Sequence, residues 1–237
     1  MLLNLMYMFF MAVPLFFFIS AMIGTLPELV IIFSLITAIP IGGVYCTIVY
    51  CITRMLRDDP EYVWYDIKRK FPAYFKQGII PGVLYTAYLL YQVVVIFNLI
   101  SPEPQFGLLN FILVVFSLTV ISMVAPYVFL QIAYVDLNLF QIVKNSLILS
   151  LANLPRSFMG AVLGNLVWLL FWLLIPISFF AVPIMLFFAF SVSWLICLMW
   201  VWPRVNKQFE IEETLKNRFD KEMDEKLEER GIDLSDK

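Results

Sequence analysis

Long apolar runs, broken at only a few places, restrict this chain more than any motif in it. Six segments, 2–22, 29–54, 78–100, 108–135, 158–175 and 183–202, hold no Asp, Glu, Lys, Arg or His away from their ends. About 20 such residues suffice to cross a bilayer as a helix. Lipid gives backbone groups no partner, so only helices or a closed barrel can stand in it. Runs without alternation exclude the barrel. The expected fold is therefore all-α, a polytopic membrane helix bundle of about six transmembrane helices. Composition agrees: 62% of residues are hydrophobic and 14% charged, with a mean hydropathy of +0.89. A soluble chain carries roughly a quarter charged residues.

The charges are segregated. The stretch 54–77 packs ten charges and six aromatics into one connection, and the 34 residues from Arg204 onward hold 19 of the 34 charges. The chain thus divides into a bundle over 1–203 and a charged helical tail over 204–237. The N-terminal run has no Lys or Arg ahead of it, so it reads as a retained first membrane helix and not as a cleaved leader. The connections 23–28, 101–107 and 176–183 contain Glu28 and Glu103 and no basic residue. All sixteen basic residues lie in 54–77, at Lys144 and Arg156, or from Arg204 onward. Basic loops stay inside, so both termini are expected in the cytoplasm.

The two inward connections look alike. Residues 61–76 set Tyr62, Tyr65, Ile67, Phe71, Tyr74 and Phe75 among Lys68, Arg69, Lys70 and Lys76, and 138–153 set Leu139, Ile142, Val143, Leu147 and Leu151 around Lys144. Each reads as an amphipathic cytoplasmic surface helix, followed by Pro72 or Pro155, a basic residue and a glycine. A weak internal repeat is one reading of this; chance likeness of apolar segments is the other. In the tail, Ile211, Leu215, Phe219, Met223 and Leu227 form a slowly drifting helical stripe, with i,i+4 pairs Glu212–Lys216 and Glu222–Lys226 and a stop at Gly231. Such a helix either packs loosely on its own protein or docks on a partner.

Chemistry is scarce. The chain has no histidine, which removes the commonest proton shuttle and metal ligand. Cys46, Cys51 and Cys197 sit in apolar runs as small hydrophobes. Asp58, Asp59 and Glu61 flank Pro60 as an ordinary helix start. No phosphate cradle or nucleophile elbow occurs, so neither catalysis nor a cofactor is expected. Charge-free spans argue against a proton-coupled carrier or ion pump. Thr37, Gln92, Asn98, Asn110, Gln131, Asn165 and Ser193 are polar residues suited to interhelical hydrogen bonds. A solute-lining role for some of them is the alternative. Pro40 with Gly42 and Gly43 reads as a kink with close glycine packing, the alternative being a broken helix.

One stretch carries a resemblance. Pro40, Tyr45, Arg54 through Arg57, an acidic turn, Tyr62, Asp66, and Phe71 through Gln77 resemble the signature region of the YesL family of bacterial integral membrane proteins. Leu154, Pro155 and Arg156 fit it more loosely. The activity of that family is not established, and many members are encoded beside carbohydrate ABC importers in Gram-positive bacteria. The resemblance implies a non-catalytic accessory subunit in the bacterial plasma membrane, associating with permease or ATPase subunits of such an importer. Other partners are lipid and not nucleic acid. The candidate docking residues are Tyr62, Asp66, Phe71, Phe75 and Lys76, with Leu215 and Phe219 on the tail. The alternatives are a small permease or channel for an uncharged solute, and a general membrane scaffold or chaperone.

Overall fold

A computed structural model describes residues 1–23, 27–59, 62–100, 108–135, 137–174 and 184–217. No strand occurs among them. The helices are α1 (Leu2–Ile23), α2 (Pro27–Thr37), α3 (Ile41–Leu56), α4 (Val63–Ile100), α5 (Leu108–Tyr134), α6 (Leu139–Ala152), α7 (Leu154–Leu174) and α8 (Phe190–Phe209), the last preceded by a π-helical turn at Met185–Ala189. Among the described residues four stretches, Leu2–Ser20, Ile31–Leu56, Leu109–Tyr134 and Phe187–Phe209, are long and apolar enough to cross a membrane, or five if the bent pair α6–α7 is one span. Their outward faces are apolar too. Leu5, Phe9, Val13 and Phe16 form an exposed stripe on α1, and Leu109, Ile112 and Phe116 one on α5. A helix apolar all round belongs in lipid. The chain is an all-helical protein with several helices of membrane-spanning character.

The second apolar run is broken at 38–40, separating α2 from α3. Pro40 has no N–H to continue the ladder. The chain turns through bonds such as Ala38 N–H to Leu35 O at 3.2 Å and Ile41 N–H to Ala38 O at 3.0 Å. Just beyond, the backbones of α3 and α4 meet. A Cβ built on Gly42 would overlap the Gly78 carbonyl, one on Gly82 would overlap Gly42, and one on Gly78 would lie 2.7 Å from the Gly42 carbonyl carbon. Gly78 and Gly82 are four apart, the small-residue spacing that lets membrane helices touch. Gly160 and Gly164 repeat it on α7, where Ser193 Oγ of α8 donates to Gly164 O at 2.9 Å and Cys197 Sγ to Gly160 O at 3.2 Å.

Where α1, α3, α4, α5 and α8 converge, Tyr45 is ringed by aromatics. Tyr7, Tyr85, Phe129, Phe190 and Trp194 have centroids 5.0 to 5.9 Å from its ring. Around this core, polar side chains tie helices in pairs. Tyr88 and Gln92 of α4 bond Ser117 of α5 at 3.0 and 3.1 Å, and Ser122 of α5 lies 3.2 Å from Asn165 Nδ2 of α7. Gln131 of α5 donates to Ser146 of α6 at 2.9 Å, and Asn4 of α1 accepts from the Ser191 amide of α8 at 2.6 Å.

The two basic connections differ. α4 runs without a break through Pro72 and Pro81 for 38 residues, so the helix over 61–76 is not ended by Pro72 as the sequence suggests. Pro72 deprives the Lys68 carbonyl of its partner, but both residues are exposed, where water can serve. In the other connection α6 stands alone. The Asn138 amide donates to Gln141 Oε1 at 3.3 Å to start it, and the Asn153 side chain donates to Leu149 O at 3.0 Å where it ends. α7 begins at once, bent by 97°, with Pro155 in its first turn, where no N–H is required. A shared proline position thus has opposite outcomes.

The chain divides into two compact units, Met1–Val201 and Trp202–Lys237. In the second, α8 ends at Phe209, Glu210 takes a left-handed conformation (φ 48°), and a helix resumes over 211–217. The Glu212 amide donates to Asn206 Oδ1 at 3.0 Å. Phe219, Met223, Leu227 and Gly231 lie outside the described residues.

Candidate functional site

The charged connection is built on one buried ion pair. Arg54, in the last turn of α3, donates through Nη1 to both carboxylate oxygens of Asp66, at 2.9 and 3.2 Å. Asp66 occupies the first turn of α4. Each charge therefore sits at the helix end whose dipole favours it. The side chains are only 9% and 5% exposed. Arg54 also reaches Asp59 Oδ2 through Nε and Nη2, at 3.2 and 3.1 Å. The loop that returns Asp59 is a Schellman turn. Asp59 N–H bonds Arg54 O, Asp58 N–H bonds Met55 O, and Asp58 is left-handed at φ 53°. One guanidinium thus fixes both the end of α3 and the start of α4.

The C-terminal end of α5 joins them. Thr53 Oγ1 and the Tyr134 hydroxyl are 2.6 Å apart, and the Tyr74 hydroxyl donates to Ala133 O at 3.0 Å. Burial, reinforced by the neighbouring phenols of Tyr134 and Tyr50, pushes the Tyr74 phenol well above its ordinary value, which keeps it a donor. Cations lie against the tyrosine faces. Lys70 Nζ is 4.7 Å from the Tyr50 ring centre, and Arg57 is 5.6 Å from that of Tyr134. Among the described residues no group of three His, Cys, Asp or Glu is placed to hold a metal.

What this cluster presents outward is the other face of the first turns of α4. Tyr62, Trp64, Tyr65, Lys68, Arg69 and Lys76 are exposed, and Lys68 Nζ lies 5.1 Å from the Trp64 ring centre. Of the sequence candidates, Tyr62 and Lys76 belong to this face. Asp66 does not, being spent in the ion pair. Phe71 and Phe75 are half-buried; Phe71 lies 5.5 Å from Phe10 of α1 by ring centres and closes over Gly43, where a Cβ would meet it at 3.2 Å. Leu215 is half-buried in the second unit, and Phe219 is outside the described residues. The sequence reading passed over Trp64, Lys68 and Arg69 as docking residues. The i,i+4 spacing of Trp64 with Lys68 and of Tyr65 with Arg69 is the available signal.

Of the polar residues suited to interhelical bonds or a solute lining, Gln92, Gln131 and Asn165 are held in the interhelical bonds given above. That arrangement ties neighbouring helices together.

Fold and site together define a class, an all-helical membrane-type bundle carrying an exposed aromatic and basic face backed by a buried ion pair. In comparisons with known proteins, no family model, no curated protein and no solved structure matches the chain.

Proposed function

We propose that the chain is a non-catalytic accessory subunit of the YesL type, crossing the bacterial plasma membrane about six times with both termini cytoplasmic. It associates through the cytoplasmic face of α4 with the permease or ATPase subunits of a carbohydrate ABC importer and supports their assembly or activity. The observation that carries the reading is the exposed set Trp64, Tyr65, Lys68 and Arg69, held rigid from behind by the buried Arg54–Asp66 pair. Aromatics with Arg are the residues that dominate protein interfaces. A prebraced face loses little freedom on binding.

The test is co-purification in mild detergent. The tagged chain is expected to retain permease or ATPase subunits. Replacing Trp64, Tyr65 and Arg69 together with Ala is expected to cut that retention at least about tenfold while membrane insertion is unchanged. Equal retention by the triple variant contradicts the assignment of the face. Recovery of no importer subunit contradicts the partner, and a broad set of unrelated membrane proteins points to a general scaffold. Solute flux into liposomes by the purified protein alone supports the permease alternative.

A further inference from the structure

An apolar groove of about 850 Å³ lies between α5, α6 and α7. Phe111, Phe116 and Val120 line it from α5, Leu147 and Leu151 from α6, and Phe158 from α7. Two hydroxyls also reach it, and both are already satisfied: Thr119 donates to Val115 O at 2.8 Å and Ser150 to Leu147 O at 3.0 Å. Neither hydroxyl proton is therefore left to donate to a solute. From Phe111 to Met123 it follows α5 for about 18 Å at 1.5 Å per residue. A single leaflet contributes about 15 Å of hydrocarbon, so the groove is as deep as one leaflet. α6, bent 97° from α7, contributes Leu147, Ser150 and Leu151 to the groove wall. Lys144 is exposed on α6, on the same helical face as Leu147 and Leu151, three and seven residues on.

We infer that this groove holds one acyl chain of an anionic glycerophospholipid from the leaflet on the α6 side, with its phosphate beside Lys144. Hydrocarbon length, apolar walls and a cation on the α6 face that carries Leu147 and Leu151 all match that occupant. Binding here is independent of the partner face on α4, so either can fail without the other.

Native mass spectrometry of the full chain, titrated with dioleoyl phosphatidylglycerol or phosphatidylcholine, tests it. The protein is expected to hold one phosphatidylglycerol. Val120→Trp, which fills the groove, is expected to weaken both lipids by at least about tenfold. Lys144→Glu is expected to weaken phosphatidylglycerol about fivefold and leave phosphatidylcholine unchanged. Val120 and Leu151 are both exposed, so Leu151→Trp repeats the test should Val120→Trp misfold. Wild-type binding by the groove-filling variants overturns the inference. So does crosslinking between two copies at Phe116→Cys, which would show that a second copy covers the groove.

Discussion

Replacing Arg54 with Ala is expected to destabilise the protein by about 3–5 kcal/mol, because it strands the Asp66 carboxylate in a buried site with its counter-charge gone. Nη1 is shared between the two carboxylate oxygens at 2.9 and 3.2 Å, and neither side chain keeps a tenth of its surface in solvent. The loss comes from the orphaned charge more than from the attraction itself. The double variant Arg54→Met with Asp66→Leu should therefore recover most of it. Asp59 is 56% exposed, and Asp59→Asn should cost no more than about 1 kcal/mol. Thermal unfolding in detergent separates the three. If Arg54→Ala melts with the wild type, the pair does not hold α3 to α4. The exposed face loses its brace in the same variant, so partner retention should fall with stability.

The second large effect is expected at Gly42. In an ordinary helix Gly→Ala stabilises by about 1 kcal/mol. Here the sign reverses, because the added carbon meets the backbone of Gly78, which cannot rotate away. Gly42→Ala should cost about 1–3 kcal/mol and Gly42→Leu more, as α3 and α4 are forced apart. Gly82→Ala should behave similarly, since its Cβ meets Gly42. Gly43→Ala is the internal control. Its nearest neighbour is the Phe71 ring at 3.2 Å, a side chain that can shift, so its cost should be the smaller. A stabilised Gly42→Ala protein would refute the close approach.

Much of this architecture was readable from residue types. Apolar runs that exclude charge located the helices, and the Pro40, Gly42, Gly43 cluster marked both a chain break and a close packing site. The sequence reading took the kink over the break; the structure has both. Other features depend on which neighbour a helix face meets, and a single sequence does not state that. Asp66 is a docking candidate in the sequence because it lies in the stretch that carries the family resemblance. It is buried because Arg54 lies across from it. Phe71 and Phe75, from the same stretch, are half-buried because Phe10 of α1 and Gly43 of α3 stand behind them. Pro72 looked like a helix end, yet a proline on a solvated helix face can be carried through. The Gly78 and Gly82 spacing was in plain sight and was not used.

Sidedness tests the central claim, apolar helices crossing lipid with the basic connections on one face. The three native cysteines are buried, so a membrane-impermeant maleimide reports on introduced ones. Arg69→Cys and Arg156→Cys should label only when the cytoplasmic side is opened, and Glu103→Cys from outside in intact cells. Labelling of Arg69→Cys and Glu103→Cys from the same side would contradict the account.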